Sequence, residues 1–161
     1  NEYGKQKLEV EDFIFSNIKD YLIIRPGKVF GIRKGEGNLF ADWLDKYRKN
    51  QQIICADDEF LSFTYAGDLA RAIDVLMHDN LRGTFHINPQ EHYSRWQLAN
   101  NFFNYLSIHD ARIQRCSISD LNFTEKRPTN SFLDASRFIQ QTGFQFTPLE
   151  ECFDLVRQAS L

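Results

Sequence analysis

Tyr3 and Lys7 are the residues whose types and spacing most clearly suggest chemistry. Residues four apart on a helix lie on the same face, so the Lys7 ammonium can lie beside the Tyr3 phenol. A neighbouring positive charge stabilises a phenolate and makes the phenol a usable proton donor to a carbonyl oxygen. This is the chemistry that a carbonyl reductase needs. The same spacing also occurs where a surface lysine covers an aromatic ring, so the pair does not decide the function alone.

A second stretch that could take part in binding a ligand runs from Gly27 to Gly37 and contains four glycines. Together with Arg25, its basic residues predict a loop whose backbone can approach an anion closely. It is not a Walker loop, because Val29 follows Lys28 and no glycine stands five residues before Gly27. A solvated surface loop is the alternative interpretation. The basic residues within the stretch are Lys28, Arg33 and Lys34.

The histidines and cysteines suggest structural roles. The four histidines have no metal-ligand spacing, so no metal site is predicted. An odd number of cysteines without a Cys-x-x-Cys motif predicts reduced, buried thiols in a cytoplasmic protein. The residues concerned are His78, His86, His92 and His109, with Cys55, Cys116 and Cys152.

The elements that must position these residues alternate between helices and strands. Apolar residues at helical spacing predict a helix over residues 3–18, and the apolar run at 21–24 predicts a fully buried strand. A helix over 39–47 and a short strand over 52–55 follow. This alternation favours an α/β fold with a largely parallel sheet.

The second half of the chain continues the pattern. An amphipathic helix is predicted after Asp68, and residues 83–87 favour a strand. Ser94 and Gln97 form a capping box that begins another helix, and Thr147-Pro148 begins the last one. The apolar face predicted for the helix after Asp68 consists of Leu69, Ala70, Ile73, Leu76 and Met77.

Composition excludes several classes of protein. The chain has 161 residues, 42% hydrophobic and 25% charged, which is typical of a globular domain. Its net charge of -3 predicts no general affinity for nucleic acid or anionic membranes. No apolar run is long enough to span a bilayer. Because the chain starts with Asn1 and its single methionine is Met77, we expect it to be part of a longer protein.

Five segments in order resemble the carboxyl-terminal half of an extended short-chain dehydrogenase/reductase, a Rossmann-like fold. The last of them resembles a stretch of the dTDP-4-dehydrorhamnose reductases in particular, and together they cover nearly the whole chain. The segments are Tyr3 to Glu11, Leu22 to Gly31, Phe63 to Ala70, Gly83 to Asn88, and Arg127-Pro128-Thr129-Asn130-Ser131-Phe132-Leu133-Asp134.

The resemblance implies a cytoplasmic enzyme that passes hydride from NADPH or NADH to the 4-keto carbon of a nucleotide-linked deoxysugar. It implies that Tyr3 donates the proton and that Lys7 tunes Tyr3 and holds the nicotinamide ribose. The backbone of Gly27, Lys28 and Val29 would lie near the nicotinamide, and Asn38 and Arg127 would bind the sugar nucleotide. Asn38 could instead serve as a helix N-cap, and Arg127 could pair with Asp134 or cap a carbonyl.

The resemblance also implies a division of the chain. Residues 1–161 are expected to form one unit, with the last Rossmann elements over about 1–31 and a substrate-binding region over about 32–161. The glycine fingerprint for a dinucleotide and the Ser or Thr that partners the tyrosine are not in this sequence. We therefore expect the chain alone to be inactive, to bind no cofactor tightly, and to self-associate, for example as a homodimer.

Two alternatives remain open. Lys28 stands where the rhamnose reductases are expected to have an aromatic residue, which is compatible with a non-catalytic binding or regulatory protein of the same fold. An epimerase or dehydratase of the same superfamily would keep Tyr3 and Lys7 but act on another sugar.

Overall fold

The computed structural model describes residues 1–32, 38–125 and 127–159. Helices and short strands alternate along most of the chain. In order they are α1 (Glu2–Asn17), β1 (Leu22–Pro26), β2 (Lys28–Phe30), α2 (Leu39–Arg48), β3 (Ile53–Ala56), β4 (Phe60–Leu61), β5 (Phe63–Tyr65), α3 (Ala66–His78), β6 (Gly83–Ile87), β7 (Tyr93–Ser94), α4 (Arg95–Tyr105), β8 (Ile113–Cys116), a 3-10 turn (Ile118–Asp120), α5 (Ser136–Thr142) and α6 (Leu149–Ala159).

The strands pair two by two, and most of the pairs are parallel. β1 pairs with β6, β2 with β5 and β3 with β8 in parallel, whereas β4 pairs with β7 in antiparallel orientation. Each parallel pair is joined by a crossover that includes at least one helix, as parallel strands require. The predicted α/β fold with mostly parallel strands is confirmed.

The larger core is built from aromatic rings of α2, α4 and α6. Phe40, Phe102 and Phe153 are fully buried and contact one another, with ring centroids 5.0 to 5.5 Å apart. Ile53 and Cys55 of β3 lie in the same cluster. Aromatic pairs at these distances add to the stabilisation that comes from burying their surface.

A smaller core packs α3 and α5 against the β1–β6 pair. Its buried members come from α3, β6 and α5, and Leu22 and Ile24 of β1 pack against them. This cluster therefore joins residues from both sides of the predicted boundary at about residue 31. The buried members are Ala72, Leu76, Phe85, Ile87 and Phe138.

Three details of the sequence interpretation are wrong. β1 is only partly buried, because β6 flanks one edge and α1 contributes no buried residue in the described chain. The inward face of α3 is formed by Ala72 and Leu76, whereas Ile73 and Met77 are exposed. The stretch after Gly27 is not a loop throughout, because Lys28–Phe30 forms β2; Arg33, Lys34 and Gly37 lie outside the described residues.

Side-chain hydrogen bonds fix the starts of two helices, α4 and α6. The predicted capping box is confirmed: the Ser94 hydroxyl accepts from the Gln97 N–H at 3.1 Å, and the Ser94 N–H donates to Gln97 Oε1 at 2.9 Å. Asp68, buried in α3, accepts from the N–H and hydroxyl of Thr147 at 2.9 and 2.6 Å. Asp68 thus holds the start of α6 against α3.

Among the described residues, no helix is both long and apolar enough to cross a membrane.

The aromatic core gives a stability prediction. Replacing Phe102 with Ala removes a ring that is in contact with Phe40 and Phe153, and should lower the free energy of unfolding by about 3–5 kcal/mol. Phe13→Ala, on the exposed side of α1, should change it by less than about 0.5 kcal/mol. Urea denaturation of both variants measures the difference; equal effects would contradict this description of the core.

Candidate active site

Tyr3 and Lys7 lie together on the first two turns of α1. The Asn1 side chain caps the helix by accepting from the Gly4 N–H at 2.8 Å. The Lys7 Nζ lies 5.4 Å from the centroid of the Tyr3 ring, and Tyr3 is 67% exposed. The structure therefore brings these two residues together and leaves the phenol accessible to a ligand.

Glu11 is the third residue on the same face of α1, and it anchors the helix to the sheet. Arg25 of β1 donates two hydrogen bonds to its carboxylate, one from Nε to Oε1 at 2.9 Å and one from Nη2 to Oε2. The hydrogen bonds from Arg25 hold the pKa of Glu11 below its ordinary value. The two-pronged geometry fixes the orientation as well as the distance between helix and strand.

The anchoring contacts show where the Tyr3 end of α1 points. Phe15 contacts Tyr21 with ring centroids 5.4 Å apart, and Glu11 contacts Arg25, so α1 and β1 run in opposite directions. Each earlier turn of α1 is therefore further along β1 towards its carboxyl end. Lys7 and Tyr3 therefore lie further towards the carboxyl end of β1 than Glu11 does, and ligands bind at this end in open α/β sheets.

Gly27 lies at the same carboxyl end, between β1 and β2. Its N–H donates to the Ile87 carbonyl at 3.3 Å, and the Lys28 N–H donates to the Ser62 carbonyl at 2.8 Å. A Cβ at position 27 would lie 2.6 Å from that Ser62 oxygen and 2.9 Å from Thr64 Oγ1. Only glycine allows the backbone to pass this closely.

Two buried polar atoms next to Gly27 have no hydrogen-bond partner within the described residues: Ser62 Oγ and Asn88 Oδ1. The Asn88 Nδ2 group donates to the Pro89 and Leu133 carbonyls at 3.0 and 2.8 Å. The carboxyl ends of β1 and β6 therefore carry a cluster of small and polar residues that the sequence interpretation did not single out apart from Gly27.

Asn38 is the N-cap of α2. Its Oδ1 accepts from the Ala41 N–H at 3.3 Å, and the residue is buried. The alternative role that the sequence left open for Asn38 is thus confirmed.

Arg127 lies on the ring of Phe123 and close to a buried carboxylate. Its guanidinium carbon is 3.8 Å from the Phe123 centroid, and its Nη1 is 4.0 Å from Glu59 Oε1. Asp134, the alternative partner, instead accepts from the Ser136 N–H at 2.9 Å. Sequence reasoning missed Glu59, because nothing in Asp57-Asp58-Glu59 indicates which carboxylate is buried.

Arg127 lines an open cleft of about 340 Å³, which is within the usual range for small-molecule pockets. Phe123, Thr129 and Asp58 also line it, and the pKa of Asp58 is lowered by the Ser117 hydroxyl and the Ile118 N–H. The described residues that line this cleft do not include Tyr3, Lys7 or Asn38.

The cysteines are not part of the candidate site. Burial raises the pKa of Cys55 to about 11 and that of Cys152 to about 12, so both are thiols at neutral pH. Both lie in the larger core, as the sequence predicted, whereas Cys116, which was also predicted to be buried, is only partly buried.

Comparison with known families decides the assignment of the chain. The model of the RmlD substrate binding domain matches residues 1–159. The chain belongs to this family.

Individual relatives agree with the fold. The RmlD-type chain is 24% identical to the dTDP-4-dehydrorhamnose reductase of Aggregatibacter actinomycetemcomitans, covering 89% of the chain and 52% of the relative. It is also 24% identical to the methionine adenosyltransferase 2 subunit beta of Danio rerio, covering 85% and 45%. The crystal structure of dTDP-4-dehydrorhamnose reductase from Bacillus anthracis in complex with NADP superposes with a TM-score of 0.84 at 24% identity, covering 98% of the chain and 55% of that structure.

These comparisons confirm the predicted family and its Rossmann-like fold. The RmlD-type chain spans about half the length of the curated relatives that it matches. It therefore corresponds to one part of such proteins.

The described residues fit one edge of a nicotinamide cofactor. Lys7 offers ammonium donors for ribose hydroxyls, and Tyr3 offers an accessible phenol next to it. The N–H groups of Gly27 and Lys28 already donate within the protein, so these residues can offer a cofactor close backbone contact but not those two N–H donors.

The packing around Gly27 leads to a prediction with a matched control. Gly27→Ala forces the Ser62 backbone to move and should destabilise the protein by about 1–3 kcal/mol. Gly31→Ala meets no atom within 4 Å and should change stability by less than about 0.5 kcal/mol. Thermal and urea denaturation test this; a Gly27→Ala protein as stable as the Gly31→Ala protein would contradict the close approach.

The Glu11–Arg25 pair predicts how α1 is held. Glu11→Gln should speed amide hydrogen exchange in α1, because it removes the charged acceptor for Arg25, whereas Asp20→Asn, in the exposed Asp20–Arg82 pair, should not. Because the pKa of Glu11 is lowered, its contribution is present above the ordinary value of 4.5 and is lost as the pH falls below it. Acid should therefore loosen α1 in the wild-type protein more than in Glu11→Gln. Unchanged exchange in Glu11→Gln would disprove the anchoring role.

Proposed function

We propose that the RmlD-type chain is the substrate-binding part of a nucleotide-sugar reductase. The reaction is the NADPH-dependent reduction of a 4-keto deoxysugar nucleotide such as dTDP-4-dehydrorhamnose. The observation that carries the proposal is the Tyr3–Lys7 pair on α1, the helix that the Glu11–Arg25 pair holds against β1. The names of the Aggregatibacter relative and of the NADP-bound Bacillus structure support the substrate and the cofactor.

Tyr3 is the proton donor in this proposal. The hydride that adds to the 4-keto carbon of the sugar would come from NADPH, when that cofactor is bound. The Tyr3 hydroxyl gives its proton to the carbonyl oxygen, so that the ketone becomes a secondary alcohol and Tyr3 is left as a phenolate. The Lys7 ammonium stabilises this phenolate, and a proton from solvent restores the phenol.

The remaining site residues bind and position. The backbone at Gly27, Lys28 and Val29, at the carboxyl end of β1, would form the surface that contacts the nicotinamide. The Arg127 guanidinium binds the diphosphate of the sugar nucleotide, because its planar fork matches two phosphate oxygens. Because the Asn38 side chain is buried, its role in substrate binding is indirect. It caps α2 and so positions the start of this helix for the substrate.

We also propose that the RmlD-type chain does not complete the reaction alone. Its sequence contains no Gly-x-x-Gly-x-x-Gly segment to cradle the pyrophosphate of a dinucleotide. Residues 1–161 alone should therefore bind NADPH weakly, and calorimetric titration tests this directly. Micromolar binding to this chain would contradict the proposal that it lacks the part that binds the dinucleotide.

A second candidate function is non-catalytic binding in a regulatory subunit. The relative from Danio rerio is named as a subunit of a methionine adenosyltransferase, and Lys28 stands where an aromatic residue is expected in the reductases. Such a protein would bind a nucleotide or a partner chain at the same site without turnover.

Replacing Tyr3 separates the two functions. In the protein as it occurs naturally, with any flanking residues, Tyr3→Phe should lower the rate of NADPH oxidation by 4-keto sugar nucleotides by about two to four orders of magnitude. Tyr47→Phe should not, because the Tyr47 hydroxyl bonds to Asp110 on another surface.

The wild-type protein also decides between the candidate functions. No turnover of any sugar nucleotide would favour the regulatory role. Chromatographic analysis of the product distinguishes reduction from epimerisation or dehydration by a related enzyme.

A further inference from the structure

We propose that Glu59 and Arg95 are positioning residues that hold Arg127 ready for the diphosphate of a nucleoside-diphosphate ligand. The inference deepens the proposed function and rests on it, because it assumes that Arg127 contacts the ligand. It assigns a role to a buried carboxylate that sequence reasoning did not identify.

Glu59 is a charged residue that the fold removes almost completely from water. It is only 3% exposed, and its Oε2 accepts from Arg95 Nε at 2.6 Å. Burial of a carboxylate is costly unless cations and hydrogen bonds compensate for it. Arg95 compensates directly, and Arg127 approaches the other oxygen at 4.0 Å.

Backbone pairing brings the three side chains together. Glu59 immediately precedes β4 and Arg95 immediately follows β7, and these two strands are antiparallel partners. On the other side of β4, the Phe60 N–H donates to the Thr129 carbonyl at 2.7 Å, and the Ser131 N–H donates to the Phe60 carbonyl at 3.1 Å. The segment that contains Arg127 is thereby fixed beside Glu59.

The contacts of Arg127 leave it able to bind an anion. Its guanidinium carbon lies 3.8 Å from the centre of the Phe123 ring, and such a contact with the ring face uses none of the N–H donors as hydrogen bonds. The side chain is 44% exposed and lines the cleft of about 340 Å³, whereas Glu59 is buried and is not among the described residues that line it. Glu59 therefore approaches the guanidinium at Nη1 from 4.0 Å, beyond hydrogen-bond distance, so the partly exposed group keeps N–H donors for an anion.

The other groups that line the cleft suit the rest of a nucleotide. The hydroxyls of Ser119 and Thr129 and the carboxylates of Asp58 and Glu125 are groups that can bond to sugar hydroxyls and base N–H groups. These carboxylates repel phosphate, and Arg127 is the cation among the described lining residues, so we place the diphosphate at Arg127. The affinity then depends on the position of this guanidinium.

Without Glu59, Arg95 and Arg127 would be like charges close together. They would repel each other, and the more exposed Arg127 would move away. Two opposite effects can follow from neutralising Glu59. Loss of position weakens binding of the diphosphate, whereas loss of a nearby negative charge strengthens it. Our proposal requires the first to prevail, so the sign of the change is the test.

The experiment measures the affinity of the natural protein, including any flanking residues, for dTDP by isothermal titration calorimetry. Glu59→Gln keeps the shape of the side chain and removes its charge. It should weaken binding about tenfold, which corresponds to the loss of one hydrogen bond between Arg127 and a charged phosphate oxygen. Asp57→Asn is the matched control, because Asp57 pairs with Arg115 outside the cleft, and it should leave the affinity unchanged. Circular dichroism and thermal unfolding verify that each variant is folded.

Failure of this inference can be distinguished from failure of the proposed function. If Arg127→Met leaves dTDP affinity unchanged, Arg127 does not bind the ligand and the proposed site is wrong. If Arg127→Met weakens binding but folded Glu59→Gln binds as well as the wild type, or more tightly, the positioning role is overturned. For a turnover assay, Glu59→Gln should raise KM for the sugar nucleotide and leave kcat nearly unchanged, because Tyr3 and Lys7 are not affected.

Discussion

The ion pair between Glu11 and Arg25 is the contact on which the candidate site depends. α1 contributes no buried residue within the described chain, so apolar packing does little to fix it there. Two hydrogen bonds from one guanidinium, together with the contact of Phe15 with Tyr21, set its direction along β1. Because Glu11 shares a helix face with Lys7 and Tyr3, the same pair that holds the helix also directs that face.

A partly buried ion pair is well suited to this task. Apolar contacts stabilise a helix against a sheet but tolerate rotation and sliding, whereas a two-pronged pair is satisfied at one geometry only. The neighbouring backbone adds a second constraint at Gly27, where a side chain cannot be accommodated. Proton transfer requires a phenol held within hydrogen-bond distance of its acceptor, so both constraints serve the proposed chemistry.

The features that depend on residues close together in the chain were predicted correctly from the sequence. The capping box at Ser94 and the proximity of Tyr3 to Lys7 depend on residues three or four apart, and both are found in the structure. The burial of β1 and the inward face of α3 depend on which distant elements cover them, and the sequence interpretation was wrong on both. Glu59 was missed for the same reason, since its partners Arg95 and Arg127 are 36 and 68 residues away.

The segment from Arg127 to Asp134 shows why the most specific motif in the sequence is also central to the structure. At one end β4 holds it, through Phe60 and Thr129, next to Arg127 and the cleft. At the other end its Leu133 carbonyl accepts from Asn88, and the Asp134 carbonyl lies 2.9 Å from His86 Nδ1, both near the carboxyl end of β6. One extended segment thus connects β4 and the cleft at Arg127 to the carboxyl end of β6, whose residues Phe85 and Ile87 belong to the smaller core. A change in its length or register would alter the distance between the proposed diphosphate and hydride sites, so its sequence is constrained at both ends.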